Sequence, residues 1–197
     1  MLIATCSEVA INGDCVMRLR VDDILSPRVW QTVTGVEVAV PDPERLVHIQ
    51  FRRWVGCPIC NTHVGQLVRR ANEIRAAGVR EVLFFHSRAE DIRAFQRDVP
   101  FDLIADPTKV VYREFGVETS LLYWLSLRTM IAAFRSVIRR KFNLRMTGGP
   151  FGLPADVLVE PNGRIRAVKY GVRAYDQWSV DELLALAGRH HAAPTAA

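Results

Sequence analysis

The chain has 197 residues and a mass of 22.3 kDa, enough for one domain of ~150 residues with extensions and too little for a second full domain. With 49% apolar and 24% charged residues it can bury a substantial core, which excludes a disordered polypeptide. The formal net charge of +5 rests on 23 arginines and three lysines, at 109, 141 and 169, an excess too modest to argue for nucleic acid.

Residues 1–32 read as an N-terminal extension, weakly alternating over 16–21 and broken at Ser26-Pro27. They open with neither a basic stretch nor a long apolar run, so no secretory signal is evident and the cytoplasm is the expected location. Residues 36–40 alternate as a half-buried strand does, and Pro41-Asp42-Pro43 turns the chain into a second strand over 46–51. A loop through Arg52, Arg53, Trp54, Val55 and Gly56 then delivers Cys57-Pro58-Ile59-Cys60. From Pro58, a residue suited to a first helical turn, Cys60, Val64, Leu67, Val68, Ala71 and Ile74 recur at helical spacing until Gly78. A β-prone run at 81–86 follows, then a capping box at Ser87 to Glu90 opening a helix to about Arg97. The pattern repeats with a strand at 101–105 and a helix capped at Asp106-Pro107 that stops at Gly116. Near the end, 157–159 and 165–170 flank Glu160-Pro161-Asn162-Gly163 as an antiparallel hairpin, and Ser179 with Glu182 caps a last helix ending at Gly188. Residues 191–197 read as a tail. Alternating βα units followed by a hairpin and a helix predict an α/β fold with a sheet of mixed direction.

Four cysteines are too few for a disulfide-dense scaffold, and only Cys57 and Cys60 form a motif; Cys6 and Cys15 read as free thiols. Two cysteines three apart at a helix start lie close enough for an intramolecular disulfide. The free N–H groups and positive dipole of that start favour the thiolate, with Arg52 and Arg53 adding to it where their side chains turn that way. Cys60 falls on the apolar face with Val64 and Leu67 while Cys57 sits at the loop edge, so Cys57 is the expected nucleophile and Cys60 the resolving thiol. Two other readings of the pair stand beside this one: small apolar filler, or a zinc site completed by His63 and Cys6 or Cys15. His48, His63 and His86 read as hydrogen-bonded structural histidines, and Tyr175 and Trp178 as packing aromatics.

Pro154, in Gly152-Leu153-Pro154-Ala155-Asp156 just before a strand, is a candidate cis proline. The C-P-x-C at a helix start, Pro154 and the Pro161-Asn162-Gly163 hairpin together resemble the thioredoxin-fold pattern. The runs from Phe51 to His63, Phe85-His86-Ser87, Tyr112 to Val117 and Gly171 to Ala185 resemble the peroxiredoxin-like AhpC/TSA-related proteins, including the SelL-type redox proteins with selenocysteines at the C-x-x-C positions. The resemblance spans about residues 33–188. It implies a thioredoxin-like domain over 33–190, Cys57 as redox nucleophile, Cys60 as its partner, and Pro58, Arg53 and a cis Pro154 as active-site support. It also implies a disulfide or hydroperoxide substrate and an external thiol reductant, and it calls for no metal or organic cofactor. Ordinary peroxiredoxins carry Pro-x-x-x-Thr before the peroxidatic cysteine; this chain has Gln50 and Trp54 there, which favours disulfide exchange over peroxidase activity. Thioredoxins carry a buried acid on the preceding strand, where this chain offers Gln50 or His48 and thus no identified proton acceptor for Cys60.

Residues 118–150 read as a helical insertion. Within 121–145, apolar Leu127, Met130, Ile131, Phe134, Val137 and Ile138 alternate with basic Arg128, Arg135, Arg139, Arg140, Lys141 and Arg145, and Arg128 cuts the apolar run below the ~20 residues of a membrane span. Such a helix fits packing against its own protein or a homodimer interface, a membrane surface or acidic partner, and, less well, nucleic acid. It also keeps open a second function: a redox-inactive thioredoxin-fold module that binds a partner through the basic insertion.

Overall fold

The computed structural model describes residues 18–117 and 152–188. The expectations for Cys6, Cys15, the insertion at 118–150 and the tail lie outside these residues. The described residues form two sheets. β1 (Arg28–Gln31) and β2 (Glu37–Val40) form an antiparallel pair, and β3 (Leu46–Arg52), β4 (Val79–Phe85), β5 (Asp102–Ala105), β6 (Ala155–Val159) and β7 (Ile165–Tyr170) form a sheet ordered β5-β4-β3-β6-β7. β4 pairs parallel to both β3 and β5, whereas β6 pairs antiparallel to β3 and β7, so the sheet is mixed as predicted.

The helices follow from local sequence. α1 (Pro58–Arg69) starts at a proline whose missing N–H costs nothing at a helix start. The single helix expected up to Gly78 is instead two, because the last turn tightens at Arg70, whose N–H donates to Leu67 at 3.1 Å; α2 (Ala71–Ala76) then buries Ile74 beside Leu67. Gly78 ends this stretch at φ +71°, a conformation that favours glycine. α3 (Ala89–Phe95) lacks the predicted capping box, since its N-cap is Arg88 and the Ser87 hydroxyl accepts instead from the Val55 N–H at 3.0 Å. α4 (Val110–Glu114) begins later than predicted, after Lys109 in a left-handed turn, yet Asp106 still accepts from the N–H groups of Val110 and Val111 at 3.0 and 2.8 Å. In α5 (Val180–Gly188) the capping box forms as predicted: Ser179 N–H donates to Glu182 Oε2 at 2.7 Å and Glu182 N–H to Ser179 Oγ at 3.2 Å.

β3 is the middle strand and is buried along its whole length. Its odd residues, Val47, Ile49 and Phe51, face a core shared with Val38 and Val40 of β2, Tyr112 of α4 and Phe115. Phe51 and Phe84 stack at 5.2 Å between centroids. The opposite face is covered by α1, α2, α3 and α5 through Val64, Leu67, Ile74, Ile92 and Leu183. Residues 18–32, read as an extension, lie against this fold: Leu19 and Leu25 are buried in the first core, and the Leu25 N–H donates to Gly163 at 2.8 Å. No helix among the described residues is long and apolar enough to cross a membrane.

Candidate active site

The site forms where β3 ends. Four residues after Arg52 carry the chain to Cys57, and three contacts fix this loop: Val55 N–H to Ser87 Oγ, Cys57 N–H to the Trp54 carbonyl at 2.9 Å, and the Tyr112 hydroxyl within hydrogen-bond reach of the Arg52 and Phe84 carbonyls. Cys57 is the N-cap of α1, with extended backbone, and its Sγ accepts from the Cys60 N–H at 3.4 Å. The two cysteines lie 3.2 Å apart and both are free thiols. No acidic residue occupies the first turn of α1, so the helix dipole acts on the sulfurs unopposed.

The predicted difference in exposure between the two thiols is absent. Cys57 is 0% and Cys60 1% exposed, because Trp54 and Ile59 pack over the pair. The pair titrates as one unit. A hydrogen bond from Cys57, stronger than the opposing burial, brings Cys60 down to about 5, helped by the charges of Arg53 and Arg52 and a backbone bond from Arg53. Burial first, then the Cys60 sulfur, pushes Cys57 well above the ordinary thiol range. One proton is therefore held between the sulfurs and one negative charge is stabilised there.

Of the remaining predicted residues, Pro58 occupies the first helical position. Arg53 is buried, its guanidinium 5.5 Å from the centre of the Trp54 ring. Pro154 is a correction: among the described residues the cis peptide bond is Val40-Pro41, and Leu153-Pro154 is trans, the isomer that X-Pro bonds prefer by ~0.5–1 kcal/mol. The Pro154 carbonyl accepts from the Gly171 N–H at 2.9 Å, and Gly152 lies against Arg53 and His86. Thr62 turns away, its hydroxyl bonded to the Pro58 carbonyl at 2.9 Å.

Beneath α1 lies a feature that the sequence reading missed. The even residues of β3, His48, Gln50 and Arg52, point to the helix face and meet Glu81 of β4 and Asp156 of β6, which the sheet register places opposite His48 and Gln50. His48 Nδ1 lies 2.9 Å from Glu81 Oε2 and Nε2 3.2 Å from Asp156 Oδ1. Carboxylates only accept, so both ring nitrogens donate and the ring is an imidazolium. Burial opposes that charge, but the Glu81 charge and the bonds to Asp156 and Glu81 outweigh it and push His48 up to about 9. Arg52 Nη2 lies 2.6 Å from Asp156 Oδ1, and its Nε donates to Gln50 Oε1 at 2.9 Å. Burial raises the Asp156 carboxyl, yet Arg52 and His48 together hold it well below the usual range. Arg52 and His48 thus balance Asp156 and Glu81 in charge. His63 of α1 joins through Arg52 and is driven down to about 3 by burial and the Arg52 charge. The signal for the network was the polar i, i+2 series in an otherwise apolar strand; its partners sit 33 and 108 residues away from His48.

Residues 66–173 match the AhpC/TSA antioxidant enzyme family. The chain belongs to that family. The match begins after Cys60, so the cysteine pair is characterised by its own geometry. No curated relative matches the chain. Among solved structures, the peroxidoxin BcpB of Mycobacterium tuberculosis is similar at 14% identity and a TM-score of 0.64, covering 88% of this chain and 99% of that one. A reduced 2-Cys peroxiredoxin of Plasmodium vivax matches at 14% identity and 0.63, over 87% and 82%. A protein assigned as the thiol:disulfide interchange protein DsbE of Chlorobium tepidum matches at 19% and 0.57, over 86% and 99%. These likenesses establish the thioredoxin-like fold, and with family membership the coarse function is redox.

Proposed function

We propose that this AhpC/TSA-family protein is a thiol–disulfide oxidoreductase that cycles Cys57 and Cys60 between dithiol and disulfide. The observation that carries the reading is the pair of free cysteines, 3.2 Å apart, at an acid-free helix N-terminus. The shared proton moves to Cys60 as the Cys57 thiolate attacks one sulfur of a substrate disulfide, forming a mixed disulfide and expelling a thiolate that takes up a proton from water. Cys60 then loses its proton and attacks the Cys57 sulfur, expelling the second substrate thiol. The substrate gains two electrons and the pair becomes a disulfide, which an external dithiol reduces. With a hydroperoxide as oxidant, Cys57 attacks the terminal oxygen, releases alcohol or water and becomes a sulfenic acid, and Cys60 condenses with it to release water. The Gln50 and Trp54 positions, where ordinary peroxiredoxins carry Pro and Thr, favour disulfide exchange over peroxide reduction.

Turnover of a protein disulfide and of hydrogen peroxide, each with a thiol reductant, is to be measured for the wild type and for Cys57→Ser and Cys60→Ser. Activity lost in Cys57→Ser and stalled at a mixed disulfide in Cys60→Ser supports the mechanism. Activity retained in both variants overturns it.

A further inference from the structure

Arg52 is the last residue of β3 and is wholly buried. The sheet fixes its guanidinium from two directions, Asp156 at 2.6 Å from Nη2 and Gln50 at 2.9 Å from Nε. Asp156 is itself held by His48 Nε2 at 3.2 Å and by the Trp178 N–H at 3.2 Å, and His48 by Glu81. From this anchored position Arg52 Nη2 reaches across to α1 and lies 3.2 Å from His63 Nε2. Guanidinium only donates, so Nε2 offers its lone pair and the neutral ring carries its proton on Nδ1. His63 stands three residues after Cys60 on the same buried helix face, with Val64 and Leu67.

We infer that Arg52 is a positioning residue for the cysteine pair: latched to Asp156 and Gln50 on the sheet and to His63 on the helix, it sets the register of the Cys60 turn and holds a fixed positive charge within reach of the sulfurs. The charge of Arg52 does favour the Cys60 thiolate. The role in turnover rests on the redox reading above, but the effect on the thiolate does not. Arg52 touches neither sulfur nor substrate, so it acts through α1 and through its field rather than as a reacting group.

Two measurements test this in the full-length protein: thiolate absorbance against pH, and the dithiol–disulfide equilibrium against a reference dithiol. The variants are His63→Gln, which keeps an acceptor for Arg52, His63→Leu, which removes it, and Arg52→Met, which removes the charge. His63→Gln is expected to stay within about twofold of wild type in both readouts. His63→Leu and Arg52→Met are expected to move the thiolate midpoint up by about one pH unit, a tenfold lower proton concentration, and to favour the disulfide about tenfold, ~30 mV for a two-electron couple. Unchanged midpoints in His63→Leu with native far-UV circular dichroism overturn the inference, and the two His63 variants decide the matter alone if Arg52→Met does not fold. A shifted midpoint in a protein that forms no disulfide upholds the positioning and refutes the redox reading; an unshifted midpoint in a protein that does form one refutes the positioning and leaves the redox reading standing.

Discussion

Replacing His48 by Gln removes a buried positive charge that both neighbouring carboxylates face, and its effect on stability depends on pH in a direction the structure fixes. The folded-state pKa of His48 is raised from 6.5 to about 9. Its charge therefore contributes stability that is fully present below pH 6.5 and is lost as pH rises towards 9, because the native state binds a proton that the unfolded chain has released. At ~1.4 kcal/mol per tenfold in proton affinity, the contribution is about 3 kcal/mol. The cysteine pair works against this in the wild type, since a thiol lowered to about 5 adds stability as pH rises from 5 to the unfolded thiol value. The quantity to measure is accordingly the difference in urea-unfolding free energy between wild type and His48→Gln, from which the cysteine contribution cancels. That difference is expected to shrink by about 3 kcal/mol between pH 6 and pH 9.5. A difference that stays constant over this range means that His48 is not charged in the folded protein, and the ion network argument falls.

Three further outcomes follow from the geometry. Gly171→Ala places a Cβ 2.6 Å from the Asp176 carbonyl oxygen and 2.8 Å from Pro154 Cγ; thermal unfolding should show a loss of ~1–3 kcal/mol, and an unchanged Tm shows that the β7–α5 loop yields freely. Asp106→Ala strips the acceptor from the Val110 and Val111 N–H groups at the start of α4, with an expected cost of ~1–2 kcal/mol in urea unfolding, against no cost if water replaces the carboxylate. Thiolate absorbance of the reduced protein is expected to rise with a midpoint near pH 5 for one sulfur of the pair, and a first midpoint near the ordinary thiol value contradicts the electrostatics of the site.

The parts of the structure that could be read in advance are those set by neighbours in sequence. Cys57, Pro58 and Cys60 carry their own geometry because a helix start places residues three apart side by side, and the hairpin at Gly163 follows from a turn of four residues. Ser87 shows where this fails. Its spacing to Glu90 satisfies a capping box, yet its hydroxyl serves Val55, a partner that only the return of β4 alongside β3 brings near. The same holds for His48, Gln50 and Arg52: the alternation of 46–51 marks a strand with one polar face, but the partners that allow this face to be buried come from β4 and β6. Asp156, a buried acid on the neighbouring strand, is ion-paired with Arg52 and His48 and linked to α1 through Arg52 and His63. Residues 18–32 were too short and too weakly patterned to read, and they belong to the fold by virtue of Leu19 and Leu25, which are buried on the β2 side of the sheet. Pro154 kept the common isomer, since a proline before a strand does not by itself demand the rarer one.

The central claim is that Cys57 and Cys60 form a reversible disulfide. Mild oxidation of the reduced protein, followed by alkylation of remaining thiols and peptide mass analysis, tests it most directly. The account predicts a peptide containing Cys57 and Cys60 that has lost two hydrogens, is unalkylated at both positions, and regains both thiols on treatment with a dithiol. Full alkylation of Cys57 and Cys60 after oxidation, or a disulfide joining either of them to Cys6 or Cys15 instead, contradicts it.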